Sequence, residues 1–393
     1  MNFIATAAFG LEGIVKRELQ EMGIEAAADL GCVRFSGGWE EAFRANLWLR
    51  CADRVLLVAA EQEARTFEEL FQTVKTIRWE ELLPVNARIP VTGKCVKSTL
   101  MSVRDCQSIT KKAIVERMKR AYRTDVLPET GAEYKVDVAF HGDVCRITLD
   151  TSGEALNRRG YRTWNGEAPL RETLAAALLK LSPWQSGRGD RKNFMPLHDP
   201  CCGTGTLLIE AALIMADRAP GLKRTFAMEE WKQIDHEMIS RLRREAEQRY
   251  HPENIRGISG SDLDPEALKL CKKHIVQAGL GGKITVFQQD LRELSLSAPA
   301  DAEEKVNAED ENGFSAGPGG YCFICNPPYG ERMSDRRSCE GLYKQLRKLQ
   351  QRHPGSRLCA ITAYVGFEKC VGARAQKKRR LYNGRLECEY LIY

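Results

Sequence analysis

The sequence predicts an α/β protein: a doubly wound, mostly parallel sheet in the C-terminal half, preceded by a smaller α+β region. Two observations carry this. Beyond residue 165, short apolar runs alternate with helical patterns, and the runs end in loops bearing glycine, carboxylate or asparagine. Before residue 150, strand-like runs come in turn-linked pairs, clearest at 134–141 and 144–150 around His141-Gly142-Asp143. The chain closes on a second pair, 379–382 and 386–393, joined by Asn383-Gly384, so the final strand is expected to run antiparallel.

At 393 residues the chain is long enough for two or three domains with real cores. The formal net charge of +6 is modest. Runs such as Lys111-Lys112, Arg241-Leu-Arg243-Arg244 and Lys377-Lys378-Arg379-Arg380 favour a polyanionic partner, although solvated helix faces carry such runs too. Fourteen cysteines scattered through apolar runs, without a signal peptide, point to reduced thiols and a cytoplasmic location. Cys322 and Cys325 are spaced like a metal pair, but alternation turns them to opposite faces and no second pair stands at zinc-ribbon spacing, so no metal is expected. No run approaches the roughly 20 apolar residues of a membrane span.

Residues 1–65 read as strand 3–8, helix 11–22, a weak strand near 26–30, strand 32–35, helix 39–49 and strand 54–61, a β-α-β-β-α-β order. Next come a helix at 67–76, a strand at 87–94, a basic helix at 105–122 and the hairpin. That helix carries Lys111, Lys112, Arg117, Lys119 and Arg120, with Ile109, Ala113, Val115 and Met118 left to face a sheet; a cationic face of this kind suits phosphates. Residues 155–164, Ala-Leu-Asn-Arg-Arg-Gly-Tyr-Arg-Thr-Trp, read as a linker against the mouth of a site. Ala168-Pro-Leu-Arg-Glu172 opens a helix to 181 with Pro169 in its first turn.

The first strand of the C-terminal sheet, 194–198, runs into Asp199-Pro-Cys-Cys-Gly-Thr-Gly-Thr206 and a helix to 217. Gly203 and Gly205 let backbone pass close to a ligand, and the helix start offers free N–H groups. No Gly-Lys-Ser/Thr follows, and Leu208 stands where a dinucleotide fingerprint needs its third glycine. The second strand, 255–261, ends in Asp262-Leu263-Asp264, where a carboxylate can take ribose hydroxyls. An insertion at about 218–254, with a helix at 239–250 bearing Arg241, Arg243, Arg244 and Arg249, separates the two motifs. The third strand, 284–288, ends at Asp290, and 295–320, rich in Ala, Gly, Pro and acidic residues, is expected to form a mobile surface loop. A fifth strand is expected at 357–362.

The fourth strand carries the chemistry: Tyr321-Cys-Phe-Ile-Cys-Asn-Pro-Pro-Tyr-Gly330, an apolar run closed by two prolines. An exocyclic amine on a nucleobase is a poor nucleophile because its lone pair is delocalised. The Asn326 side-chain carbonyl and the Pro327 backbone carbonyl can each accept one amine N–H and localise that lone pair, while Tyr329 offers a ring for the base. Proline fixes φ and so holds the acceptors still. Asn-Pro and Pro-Pro also end ordinary strands, and on these residues alone both readings stand.

Asp199-Pro-Cys-Cys-Gly-Thr-Gly205, Gly260-Ser-Asp-Leu-Asp264, Asp290 and Asn326-Pro-Pro-Tyr-Gly-Glu-Arg332 stand in the order of the motifs of class I amino-methyltransferases. With Leu156-Asn-Arg-Arg-Gly-Tyr-Arg162, the whole chain resembles the bacterial THUMP-domain RNA methyltransferases, a group similar to ribosomal RNA guanine-N2 methyltransferases and often labelled N6-adenine DNA methylases. The resemblance implies a ferredoxin-like module (1–65), a THUMP RNA-binding domain (66–155), a linker (156–164) and a Rossmann-like class I catalytic domain (165–393) using S-adenosylmethionine. It implies that Asp199, Pro200, Gly203, Thr204, Gly205 and Thr206 hold the methionine end of the cofactor, Asp262 and Leu263 the ribose side, and Asp290 the adenine amine. Asn326, Pro327, Pro328 and Tyr329 hold the target base, with Asn326 also bordering the cofactor. The implied substrate is N2 of a guanine in 23S ribosomal RNA or its precursor; the alternatives are adenine N6 in RNA or DNA, and a non-catalytic RNA-binding assembly factor.

Overall fold

The structure, a computed structural model, describes residues 1–162, 170–187, 194–296, 320–329 and 333–393. The expectations for Thr163, Trp164, Pro169, most of the acidic loop (297–319) and Gly330-Glu-Arg332 lie outside the described residues. The chain divides into two units, Met1–Ala7 with Val15–Leu156 and Lys223–Glu245, and Ala8–Ile14 with Asn157–Leu222 and Ala246–Tyr393.

The N-terminal elements are β1 (Asn2–Ala7), α1 (Glu12–Glu21), β2 (Ala26–Asp29), β3 (Cys32–Ser36), α2 (Trp39–Trp48), β4 (Ala52–Glu63), α3 (Phe67–Thr76), α4 (Trp79–Leu82), β5 (Val91–Val96), α5 (Val103–Tyr122), β6 (Val136–His141) and β7 (Val144–Asp150). Their strands form one seven-stranded sheet in the order β2-β3-β1-β4-β7-β6-β5. The long strand β4 makes this continuous: one edge pairs with β1 (Leu57 opposite Phe3) and the other with β7 (Glu63 opposite Val144). The ladder of β5 starts later than the expected residue 87, because Pro90 has no N–H to donate.

Helix α5 buries Ala113 and Met118 as expected, but not Ile109 and Val115. Its buried side is Cys106, Thr110, Ala113, Ile114 and Met118, whereas Ile109 and Val115 are only half-buried. Cys106 packs against Cys95 of β5, with the sulfurs 3.9 Å apart, and this sets the phase from the first turn. The expected cationic face is also divided. Lys111 donates to the Ile89 carbonyl (2.9 Å) and to Glu129 (2.6 Å), Arg117 is paired with Glu80, and Lys112 sits 5.7 Å over the Phe71 ring. Lys119 and Arg120 remain at the surface end of the helix. Part of the insertion expected in the catalytic half groups instead with this unit. Trp231 stacks on Tyr134 (4.9 Å between centroids), and its indole N–H donates to the Glu133 carbonyl (3.0 Å).

The later elements are α6 (Glu172–Leu181), β8 (Leu197–Asp199), α7 (Thr206–Met215), α8 (His236–Gln248), β9 (Ile258–Asp262), α9 (Pro265–Gln277), β10 (Thr285–Gln288), β11 (Cys322–Cys325), α10 (Met333–Arg352), β12 (Arg357–Thr362), α11 (Phe367–Val371), β13 (Lys377–Asn383) and β14 (Leu386–Ile392). The sheet order is β10-β9-β8-β11-β12-β14-β13, parallel from β10 to β12, with β14 antiparallel to β12. Chain order turns back at β8, so the carboxyl ends of β8, β9 and β11 flank the crevice where open α/β sheets bind ligands. The closing hairpin pairs Asn383 with Leu386, so its two-residue loop is Gly384-Arg385, one position later than expected. Gly384 takes the left-handed conformation that the turn needs (φ +66°).

Beneath this crevice His198 is fully buried between two hydroxyls, Nδ1 2.8 Å from Ser259 and Nε2 3.1 Å from Ser261. Burial, with a smaller contribution from His353, depresses its pKa to about 3. The neutral ring is therefore the folded form. The stability it contributes is complete above the ordinary histidine value near 6.5 and is lost as pH falls from there toward 3. Denaturant titrations at pH 7.5 and 5 should show a loss of about 2 kcal/mol attributable to this group. His198→Gln should remove that share of the pH dependence; an unchanged dependence would show that His198 does not carry it.

Candidate functional site

The glycine loop joins β8 to α7. Gly203 and Gly205 have φ of +50° and +84°, and a Cβ on Gly205 would lie 2.5 Å from the Cys271 sulfur of α9. Glycine is thus required there both by conformation and by space. Gly205 is the N-cap of α7 and has no side chain to satisfy its first N–H groups, which leaves donors at the loop. The loop is held from several sides: Cys202 N–H donates to the Ser261 carbonyl (3.0 Å), His274 Nδ1 to the Thr204 carbonyl (3.2 Å), and Arg162 to the Thr206 hydroxyl.

Asp199 ends β8, is 2% exposed, and accepts the Cys201 N–H at 3.0 Å. Burial, together with the Asp262 charge, pushes its carboxyl well above the usual range. No cation pairs with it among the described residues. A buried carboxyl beside a glycine loop and without a counter-charge fits an ammonium group such as the one at the amino-acid end of S-adenosylmethionine. Asp262 ends β9; Oδ2 accepts the Gly203 N–H (2.7 Å) and Oδ1 the Asp264 N–H (3.0 Å). Each oxygen keeps a further lone pair for a hydroxyl. Asp264, in contrast, caps α9 by accepting the Glu266 N–H (2.9 Å). Leu263 projects between them, 64% exposed, an apolar surface for a planar ring. Asp290 follows β10, and Arg292 grips both its oxygens and holds its carboxyl down at about 2.

The Asn-Pro-Pro-Tyr loop leaves the fully buried strand β11. The Tyr329 hydroxyl donates to Asn326 Oδ1 at 2.5 Å and lies 3.9 Å from the Cys388 sulfur of β14. Burial raises its pKa, so it stays a donor. Tyr329, whose ring is expected to take the base, thus sets its hydroxyl on the oxygen expected to receive the amine. Tyr343 of α10 donates to the Pro328 carbonyl (2.6 Å) and buttresses the loop from below. Its role carries no short motif, only an aromatic at helical spacing.

Within residues 156–162, read as a linker, Leu156, Arg159 and Tyr161 are buried, whereas Arg158 and Gly160 are exposed. Arg159 (5% exposed) pairs with the fully buried Glu210 at 3.5 Å, Tyr161 donates its hydroxyl to the same carboxylate (3.0 Å), and Arg162 pairs with Glu172 (3.6 Å). Glu210 lies one turn into α7, so this network anchors the helix whose N-terminus faces the loop. Arginines among aromatics were the available signal, and they point inward as readily as outward.

Residues 159–392 match the family model described as "RMKL-like, methyltransferase domain", 2–56 the RlmL ferredoxin-like domain, and 64–150 the THUMP domain. The chain is 39% identical over its full length, and over 95% of the relative, to a Bacillus subtilis protein named "Putative RNA methyltransferase YpsC". It is 33% identical, again over its full length, to the ribosomal RNA large subunit methyltransferase K/L of Syntrophotalea carbinolica, and spans about half that protein (53%). Among solved structures it resembles SMU.472, solved in complex with SAH, at 36% identity and a TM-score of 0.88, covering 100% of this chain and 97% of the other. With the glycine loop, the carboxylates at the strand ends and the Asn-Pro-Pro-Tyr loop on the matching sheet, the chain belongs to the RMKL-like methyltransferase family.

Proposed function

We propose that the protein transfers a methyl group from S-adenosylmethionine to an exocyclic amine of a base in RNA, N2 of a guanine in large-subunit ribosomal RNA. The observation that carries this reading is Asn326 at the end of β11, an amide carbonyl on a proline-stiffened loop beside the glycine loop of β8. The THUMP match and the names of the relatives support RNA as the substrate.

When bound, S-adenosylmethionine supplies a methyl group on a positively charged sulfur. Asp199 would take its ammonium, Asp262 its ribose hydroxyls, and Leu263 one face of its adenine. Asp290, already neutralised by Arg292, retains lone pairs for the adenine amine. Pro200, Thr204 and Thr206 line the same loop. At the other side the target amine displaces the Tyr329 hydroxyl from Asn326 Oδ1, and the Pro327 carbonyl accepts its second N–H. The released phenol ring is then free to stack on the base. No residue need remove a proton before the methyl moves, because the amine is neutral and its lone pair is only localised.

Asn326→Ala should abolish labelling of RNA by tritiated S-adenosylmethionine while leaving SAH affinity within about twofold; an equal fall in both would remove Asn326 from the target side. Tyr329→Phe should keep most of the turnover and Tyr329→Ala should lose at least about tenfold, since stacking contributes ~1–3 kcal/mol. Mass spectrometry of ribosomal RNA from a strain lacking the protein tests the substrate: the missing base should be N2-methylguanine, and a missing N6-methyladenine would redirect the reading.

Asp262→Asn should raise the calorimetric Kd for SAH at least about tenfold, because the amide nitrogen cannot accept a ribose hydroxyl. Unchanged affinity would assign the ribose to another group.

RNA docking is proposed to use the α5 cations Lys112, Lys119 and Arg120. Neutralising Lys112, Lys119 and Arg120 together should flatten the log–log salt dependence of RNA affinity by up to about 0.9 for each phosphate that is no longer neutralised. Lys111→Ala should change that slope little, since Lys111 is paired with Glu129.

A further inference from the structure

The loop after β12, Thr362–Phe367, stands beside the Asn-Pro-Pro-Tyr loop. β11 and β12 are parallel neighbours with Cys325 opposite Ala360, so Asn326 leaves its strand next to the end of β12. Within this loop Val365 is 97% exposed, more than any other large apolar residue described. The turn under it is nonetheless closely built. The Tyr364 N–H donates to the Thr362 hydroxyl (3.0 Å), the Phe367 N–H to the Tyr364 carbonyl (3.2 Å), and the Tyr364 hydroxyl to Glu340. The Tyr364 ring lies 5.5 Å from Tyr343, the side chain that holds the Pro328 carbonyl. A Cβ on Gly366 would come within 2.8 Å of the Tyr364 ring, so the bend is fixed by a glycine. The outcome is a stiff β-branched side chain presented to solvent on a braced support.

The charges around it select its occupant. Glu340 receives Tyr364, and Glu368 is taken by Lys378 and the Ala375 N–H, whereas Lys344 and Lys369 stay exposed on α10 and α11. Three residues of chain carry Val365 at most about 11 Å beyond the end of β12. An exocyclic amine reaches Asn326 only if its base leaves the stack, and an apolar side chain entering the gap lowers the energy of the opened helix.

We propose that Val365 is a wedge that enters the RNA base stack at the position vacated by the target nucleotide, with Lys344 and Lys369 meeting the flanking phosphates. This rests on the RNA methyltransferase reading above. The test compares wild type, Val365→Ala and Val365→Leu on naked 23S ribosomal RNA from a strain lacking the protein. The RNA is used either folded or as heat-denatured short fragments, with tritiated S-adenosylmethionine as methyl donor. On folded RNA, Val365→Ala should fall at least about tenfold while Val365→Leu stays near wild type; on fragments all three should agree, with unchanged melting and SAH affinity. Equal activity of Val365→Ala and wild type on folded RNA, or an equal loss on both substrates, overturns the wedge and leaves the methyltransferase reading standing. An effect seen only on ribosomal particles would assign Val365 to a protein partner and overturns it too. Wild type inactive on every RNA overturns the functional reading and the wedge with it.

Discussion

Gly205 sits where the backbone must be left-handed and where the Cys271 sulfur leaves no room for a Cβ, and the geometry of the catalytic unit follows from that close approach. It brings α9 under the loop and starts α7 with its N–H groups uncovered. It also leaves the Gly203 N–H on the Asp262 carboxylate, tying the ends of β8 and β9 together. Even the smallest side chain at 205 would have to push back Cys271 of α9.

The second constraint is electrostatic. The unit pairs Arg159 with Glu210 and Arg162 with Glu172 behind α7, and buries Asp199 at the end of β8. The first four neutralise one another; Asp199 has no counter-charge among the described residues. Such asymmetry is costly, and under the proposed reading the ammonium of the cofactor would offset it, linking ligand binding to local stability. On the Asn-Pro-Pro-Tyr loop the Tyr329 hydroxyl satisfies the Asn326 oxygen.

Much of this was legible in the sequence because strand ends carry strong local signals. Pro-Pro after an apolar run, glycines before a helix and Asp after a strand each name a position, and the structure brings Asp199, Gly203, Gly205 and Asp262 together at neighbouring strand ends. Periodicity was less decisive. In α5, Ile109 and Val115 fall at the two edges of the stripe made by Cys106, Thr110, Ala113, Ile114 and Met118, and hydropathy alone cannot register that a threonine lies at its centre. Internal pairing was invisible for a similar reason: Lys111 and Arg117 look like phosphate ligands until Glu129 and Glu80, distant in sequence, are seen to hold them. Arg159 is a similar case, since its partner Glu210 lies about fifty residues on.

The pairing of β4 with both β1 and β7 separates two notions of a module. The ferredoxin-like and THUMP matches end and begin at residues 56 and 64, a seam of common descent that runs through a single hydrogen-bonded sheet. What was inherited as two pieces folds as one. Shortening the chain at that seam would strip a partner from β4 or β7 and expose a long ladder of unsatisfied amides, a surface prone to self-association. The heritable boundary is therefore a poor place to cut, because β4 is hydrogen-bonded on both of its edges.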